Sequence, residues 1–188
     1  MFDEPTEWQE YFSIGVGSRQ PNGKHCLFLD LDDYSKKQAE KVAQGVIDDY
    51  AVSDCYIVKS SAGNHHLVNF DLMGFETVTK IGKDYAHGTW VKHRKKGRDY
   101  VLRITPKVEV TDGKIIGSGV KPELVSIVKS PFNYRQKSNA LRTVFQDAWG
   151  IRIQKDRHFD NSKEYKFHIY RMCFAKGNKG DKNAGARK

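Results

Sequence analysis

Asp30 and Asp32 stand two residues apart at the end of the apolar run His25-Cys26-Leu27-Phe28-Leu29. On an extended chain residues i and i+2 share a face, so both carboxylates point the same way. Two carboxylates a few ångströms apart repel each other unless a cation lies between them, and hard oxygen ligands suit Mg²⁺ or Mn²⁺. The same pattern also serves turns and helix N-caps, and Asp33 fits that plainer job. A second group follows in Lys59-Ser60-Ser61-Ala62-Gly63-Asn64-His65-His66-Leu67. Small residues in a turn let backbone N–H groups approach phosphate oxygens, and a histidine beside the turn donates to the same ligand. Taken singly, either histidine reads as a surface or hydrogen-bonded core residue. The combination with the aspartates is what carries chemistry.

These residues need strands and a helix to hold them. Tyr11 to Val16 reads as a short strand, followed by a turn through Gly17, Pro21, Asn22 and Gly23. The run from His25 to Leu29 reads as a buried strand. Ser35 with Gln38 three residues on forms a capping-box pattern. Ala39, Val42, Ala43, Val46, Ile47 and Tyr50 then recur at helical spacing, which predicts an amphipathic helix facing a core. Strands are expected over Cys55–Lys59 and His66–Leu72, a short helix over Phe75–Tyr85 and a strand over Tyr100–Ile104. A hairpin is expected across Thr111-Asp112-Gly113-Lys114. That order, β-α-β-β-α-β, predicts an α+β fold with an RRM-like or ferredoxin-like split βαβ core and an antiparallel sheet. A helix near 138–149 and strands near Ile151 and over Tyr165–Cys173 make a small C-terminal α+β extension. No internal repeat is visible.

A hydrophobic strand ending Leu29-Asp30-Leu31-Asp32 resembles the first motif of the archaeo-eukaryotic primase superfamily. After an intervening helix, Ser61-Ala62-Gly63-Asn64-His65-His66-Leu67 resembles the second, with His66 as the motif histidine. Asp99-Tyr100-Val101-Leu102-Arg103-Ile104-Thr105-Pro106-Lys107 resembles the third, whose carboxylate falls on Asp99, on Glu109 or on neither. The likeness covers roughly residues 25 to 110, and the C-terminal third matches no pattern of that family.

The resemblance implies a small primase-polymerase, a template-dependent nucleotidyltransferase. In it Asp30 and Asp32, with Asp99, are catalytic, and Asp30 and Asp32 hold Mg²⁺ or Mn²⁺. It assigns Ser61, His66, Arg103 and Lys107 to the incoming nucleoside triphosphate, and Lys92, Arg94, Lys95 and Lys96 to the template or primer backbone of DNA or RNA. Trp90 and Tyr100 are candidates to stack a base, with core packing the plainer role. A replication helicase is a further implied partner, and the small size suggests a mobile element or virus.

Composition fits this reading. The chain has 188 residues, 38% hydrophobic and 12% aromatic, enough for one domain with a core and too apolar for global disorder. One domain over 1–174, with its core at about 25–110, is expected, followed by a disordered basic tail over 175–188. The formal net charge of +9 favours a polyanionic partner. Between Lys92 and Lys107 seven Lys or Arg residues meet one Asp. No apolar run approaches the roughly 20 residues needed to span a bilayer. The start Met1-Phe2-Asp3-Glu4-Pro5 lacks the pattern of a secretory signal, so a cytoplasmic location in a prokaryotic or virus-host cell is expected. Cys26, Cys55 and Cys173 are far apart, so reduced thiols are expected rather than a disulfide or zinc framework.

Two other readings share the sheet. A rolling-circle initiator of the His-hydrophobic-His type needs two histidines one residue apart and a tyrosine nucleophile followed by a lysine. Here His65 and His66 are adjacent, and Tyr134-Arg135-Gln136-Lys137 is the nearest tyrosine segment. A non-catalytic nucleic-acid-binding module suits the charge, but calls for exposed aromatics on central strands.

Overall fold

The computed structural model describes residues 8–61, 63–86, 99–111 and 114–175. Strand β1 (Trp8–Gly17) precedes β2 (His25–Leu31), helix α1 (Lys36–Tyr50), β3 (Cys55–Ser61), β4 (Asn64–Met73) and α2 (Phe75–Tyr85). Then come β5 (Val101–Arg103), β6 (Val108–Thr111), β7 (Lys114–Ser118), β8 (Glu123–Val128), helix α3 (Asn139–Trp149) and β9 (Phe167–Ala175). The fold is α+β and its sheets are antiparallel. The expected hairpin is the β6–β7 pair, whose register brings Thr111 against Lys114. Around Ile151 the chain belongs to no strand. No helix of the described residues is long and apolar enough to cross a membrane.

Local chemistry sets the helix ends. Ser35 Oγ accepts from Gln38 N at 3.3 Å and Gln38 Oε1 accepts from Ser35 N at 2.8 Å, which closes the capping box. Ala39, Ala43, Val46 and Ile47 form the buried stripe of α1. Ser138 caps α3 through Leu141 N, and Gly150 ends it at φ 66°, a left-handed turn that glycine adopts without strain. Where α1 meets α2, a Cβ on Gly45 would lie 2.8 Å from the Tyr85 ring, so a larger residue there would displace that ring.

One sheet has the order β2-β4-β3-β8. Its β2-α1-β3-β4 portion has the expected split arrangement, with β4 between the other two. Leu27, Leu29, Leu31 and Leu67 face α1 and α2, while Phe28 and Phe70 face α3 through Phe145, at ring separations of 5.6 and 5.9 Å. The other sheet has the order β5-β1-β6-β7, with β9 paired along nearly all of β1. The strand expected to close the split unit, β5, thus pairs with β1. Ser18 explains the change: its N–H donates to Tyr100 O while its carbonyl accepts from Cys26 N, so the end of β1 lies between β5 and β2. Val16, Tyr100, Leu102 and Ile104 join the same core as the second sheet, so one core serves both sheets.

Two stability outcomes follow. Ser35→Ala removes one half of the capping box and lowers unfolding stability by about 1 kcal/mol, read from the urea midpoint. Phe145→Ala empties a buried aromatic site between Phe28 and Phe70 and costs about 3–5 kcal/mol in the same measurement.

Candidate active site

In the β2–β4 ladder Asp30 lies directly opposite His66, and β3 places Val58 on the other side of His66. His66 Nε2 is 3.4 Å from Asp30 Oδ1. The imidazole is buried while the carboxylate is about one-third exposed, so the pair sits at the rim of the face that α3 covers farther along. His66 Nδ1 is buried and has no hydrogen-bond partner among the described residues. A buried polar atom of this kind calls for an additional partner. Asp32 lies just past the end of β2 and is exposed.

Arg103 reaches the same rim from β5. Its guanidinium donates to Thr105 O at 2.8 Å and to the carbonyl of Ser60, the penultimate residue of β3. Burial works against the arginine's charge, and the nearby Asp30 carboxylate supports it. Three strands from two sheets therefore bring a carboxylate, an imidazole and a guanidinium together.

The turn beside them is tied to the aspartate loop by Asn64. Its Oδ1 accepts from Asp33 N at 3.0 Å, and its Nδ2 donates to Ser61 Oγ at 3.0 Å. Asp33 is held at φ 62°, a left-handed conformation costly for most side chains and tolerated by aspartate. The ring of His65 meets Tyr34 O at 2.7 Å through Nδ1, a second link to the same loop. Sequence reasoning missed this clamp, because an asparagine in a small polar turn reads only as turn chemistry. His65 and His66 project to opposite faces, and Lys137 is buried against Asp156 at 2.6 Å. Neither arrangement suits a His-x-His centre with a tyrosine–lysine helix.

Asp99 is not brought to this group. It precedes Arg103 by four residues, about 13 Å along an extended chain, and occupies a separate buried cluster. Its Oδ1 accepts from Arg19 N at 2.7 Å and from Ser18 Oγ at 3.2 Å, while Oδ2 lies 3.6 Å from His168 Nε2. A Cβ on Gly17 would fall 2.2 Å from the Asp99 carboxylate, so glycine is required there. Glu109 projects from the same face of its sheet as Arg103, since Glu109 faces Tyr11 and Arg103 faces Gly15 across β1. Lys107 lies between β5 and β6, half-buried, with its carbonyl accepting from Gly119 N. Among the described residues, no group of three or more His, Cys, Asp or Glu side chains is placed to hold a metal ion. Tyr100 is a core residue, stacked on Phe75. Trp90, Lys92, Arg94, Lys95 and Lys96 lie outside the described residues, as does the tail from 176 onward.

The donor set still fits a hard divalent cation. Mg²⁺ is commonly held by one or two carboxylates, with water and substrate phosphate completing the shell. Asp30 offers a partly exposed carboxylate at the rim, and Asp32 an exposed one just past the end of β2.

The Asp99 cluster has a consequence for pH. His25 Nδ1 lies 3.0 Å from Ser18 Oγ, and burial pulls its pKa below 6.5, partly offset by Asp99 and reinforced by Arg19. The unfolded chain therefore takes up the proton first. His25 contributes stability that is full above pH 6.5 and is lost as pH falls through the lower folded value. Chemical denaturation across that range is expected to show stability falling with acid, and His25→Gln is expected to flatten the slope. A histidine NMR titration placing His25 at or above 6.5 would contradict this.

No protein-family model matches this chain, and comparison with curated proteins and with solved structures gives no match either.

Proposed function

We propose that this chain is a template-dependent nucleotidyltransferase of the primase-polymerase type, joining nucleotides to a 3′-hydroxyl on DNA or RNA. The observation that carries the reading is the meeting of Asp30, His66 and Arg103 beside the Ser60–Asn64 turn. A triphosphate brings several negative charges and many acceptor oxygens, and this rim offers a fixed cation beside an imidazole. Arg103 is held by the carbonyls of Ser60 on β3 and of Thr105 just after β5, so it meets phosphate without first being ordered. His66 stands beside Asp30, its Nε2 3.4 Å from Oδ1, so the imidazole shares the rim with the carboxylate. Ser61 stands at the turn with its hydroxyl fixed by Asn64. Divalent cations on Asp30 and Asp32 would acidify the attacking hydroxyl and neutralise the leaving pyrophosphate. Lys107 and the basic run Lys92 to Lys96 supply positive charge for phosphate and for the nucleic-acid backbone.

One observation favours a second reading, a nucleic-acid-binding module without catalysis. No third carboxylate joins Asp30 and Asp32 among the described residues. The two readings separate in one assay: incorporation of labelled nucleotides on single-stranded DNA, with and without primer, in Mg²⁺ and in Mn²⁺. The polymerase reading expects metal-dependent products that fall to background in an Asp30→Ala, Asp32→Ala double variant that still binds DNA. Salt-sensitive DNA binding without products under any condition selects the binding module.

Two single changes refine the site. His66→Ala is expected to raise the nucleotide KM by about ten- to a hundredfold, the range for losing a hydrogen bond to a charged group. An unchanged KM would remove His66 from the triphosphate site. Asn64→Ala releases the aspartate loop from the turn, and is expected to lower kcat/KM about tenfold with DNA binding unchanged. Equal kinetics would reduce Asn64 to a turn residue.

A further inference from the structure

Strand β9 runs for nine residues and pairs with β1 without a bulge, from Trp8 opposite Ala175 to Val16 opposite Phe167. No other described strand pairs with its outer side. Every second residue of such an edge aims an N–H and a C=O away from the sheet, a ready template for another strand. Edges are ordinarily blunted by short length, proline, bulges or charge at the centre. β9 is long and contains no proline, and Ile169, two residues from Phe167 on the same face, is 79% exposed. Phe167 is 53% exposed, and Ile14, opposite Ile169 on β1, extends the apolar patch inward.

We infer that β9 is a dimerisation edge, pairing antiparallel with β9 of a second copy of this chain about a two-fold axis at Ile169. The side-chain order selects this occupant. An axis at Ile169 sets Ile169 against its own copy, and Phe167 opposite Arg171 of the other chain. Each guanidinium then meets an aromatic ring, a favourable cross-strand pair. Lys166 falls opposite Met172, so no two cations face each other despite a net charge of +9 per chain. An axis two residues later would press Arg171 against Arg171 and is disfavoured. The contact is isologous, closes on itself and joins the two β1-containing sheets into one.

The test uses the full chain. Sedimentation of the wild type across a wide dilution series is expected to show a monomer–dimer equilibrium. Ile169→Lys sets two ammonium groups against each other and is expected to raise the dissociation constant more than tenfold. Its side chain is exposed, so far-UV circular dichroism should be unchanged. The register is read by cross-linking in a Cys173→Ser background. Ile169→Cys places two sulfurs on the axis, where paired Cα atoms lie about 4.5–5.5 Å apart, within disulfide reach. Arg171→Cys puts them about 13 Å apart and is expected to give no covalent dimer under the same mild oxidation. A wild type that is monomeric at every concentration, or cross-linking as efficient at 171 as at 169, would overturn the inference. So would loss of single-stranded DNA binding in Phe167→Ala without any change in mass, which would make the patch a base-stacking surface.

Discussion

The cross-strand pairing of Asp30 with His66 depends on the register of β2 against β4, and most of the structure serves to fix that register. Side chains alternate along a strand, so a slip of one residue would send His66 to the helix side and bring His65 to the rim. Such a slip is penalised on both faces at once. It would drive Leu67 toward Phe145 and Val68 toward α1, and it would turn the fully buried Asn69 away from Ser53. The register is thus enforced by a core of different shape on each side of the sheet. Helices on both faces therefore fix the strand register as well as bury the sheet.

Two buried polar clusters lock the strands lengthwise. At one end of β4 the Asp71 carboxylate accepts from both the backbone and the hydroxyl of Ser53, while Asn69 donates to the carbonyls of Ser53 and Asp54. Burial raises the pKa of Asp71, and the hydrogen bonds from Ser53 oppose the shift. At the end of β1, Ser18 links Asp99, His25 and Tyr100. A hydrogen bond of this sort contributes only about 1 kcal/mol net, but breaking one leaves a desolvated group without a partner, at a cost of about 1–3 kcal/mol. Networks of this kind penalise a wrong alignment more than they reward the right one. That asymmetry suits a fold whose site needs a single strand register.

The local parts of this arrangement were legible in the sequence, and the long-range parts were not. Ser35, Gln38 and the stripe from Ala39 to Tyr50 specify α1 within a few turns of chain, as does the alternation of Leu27, Phe28 and Leu29 for β2. The Asp30-x-Asp32 spacing and the turn before His66 are likewise short-range patterns, and they drew attention to two of the three groups that meet at the rim. The partner of β5 was not legible, because a three-residue strand carries no label for its neighbour. Asp99 shows the same limit. Its position in sequence suggests a third site carboxylate, whereas its surroundings are set by Gly17, Ser18 and His168, about 70 to 80 residues away in either direction.

Arg103 shows what the two-sheet design does for the site. Asp30 and His66 come from one sheet, but the guanidinium comes from the other and is anchored on Ser60 O and Thr105 O. A sheet of β2, β4, β3 and β8 alone would hold a carboxylate beside a histidine, without the guanidinium. Pairing β5 with β1 supplies the cation, and the Ser18 junction between Tyr100 and Cys26 sets where it lands. Thr105 strengthens the same anchor, since its hydroxyl accepts from Ile14 N at 2.8 Å. The cationic half of the rim therefore forms only when both sheets are assembled. A chain that folded one sheet and not the other would keep the Asp30 carboxylate without its guanidinium, so the charge balance of the rim depends on the completeness of the fold.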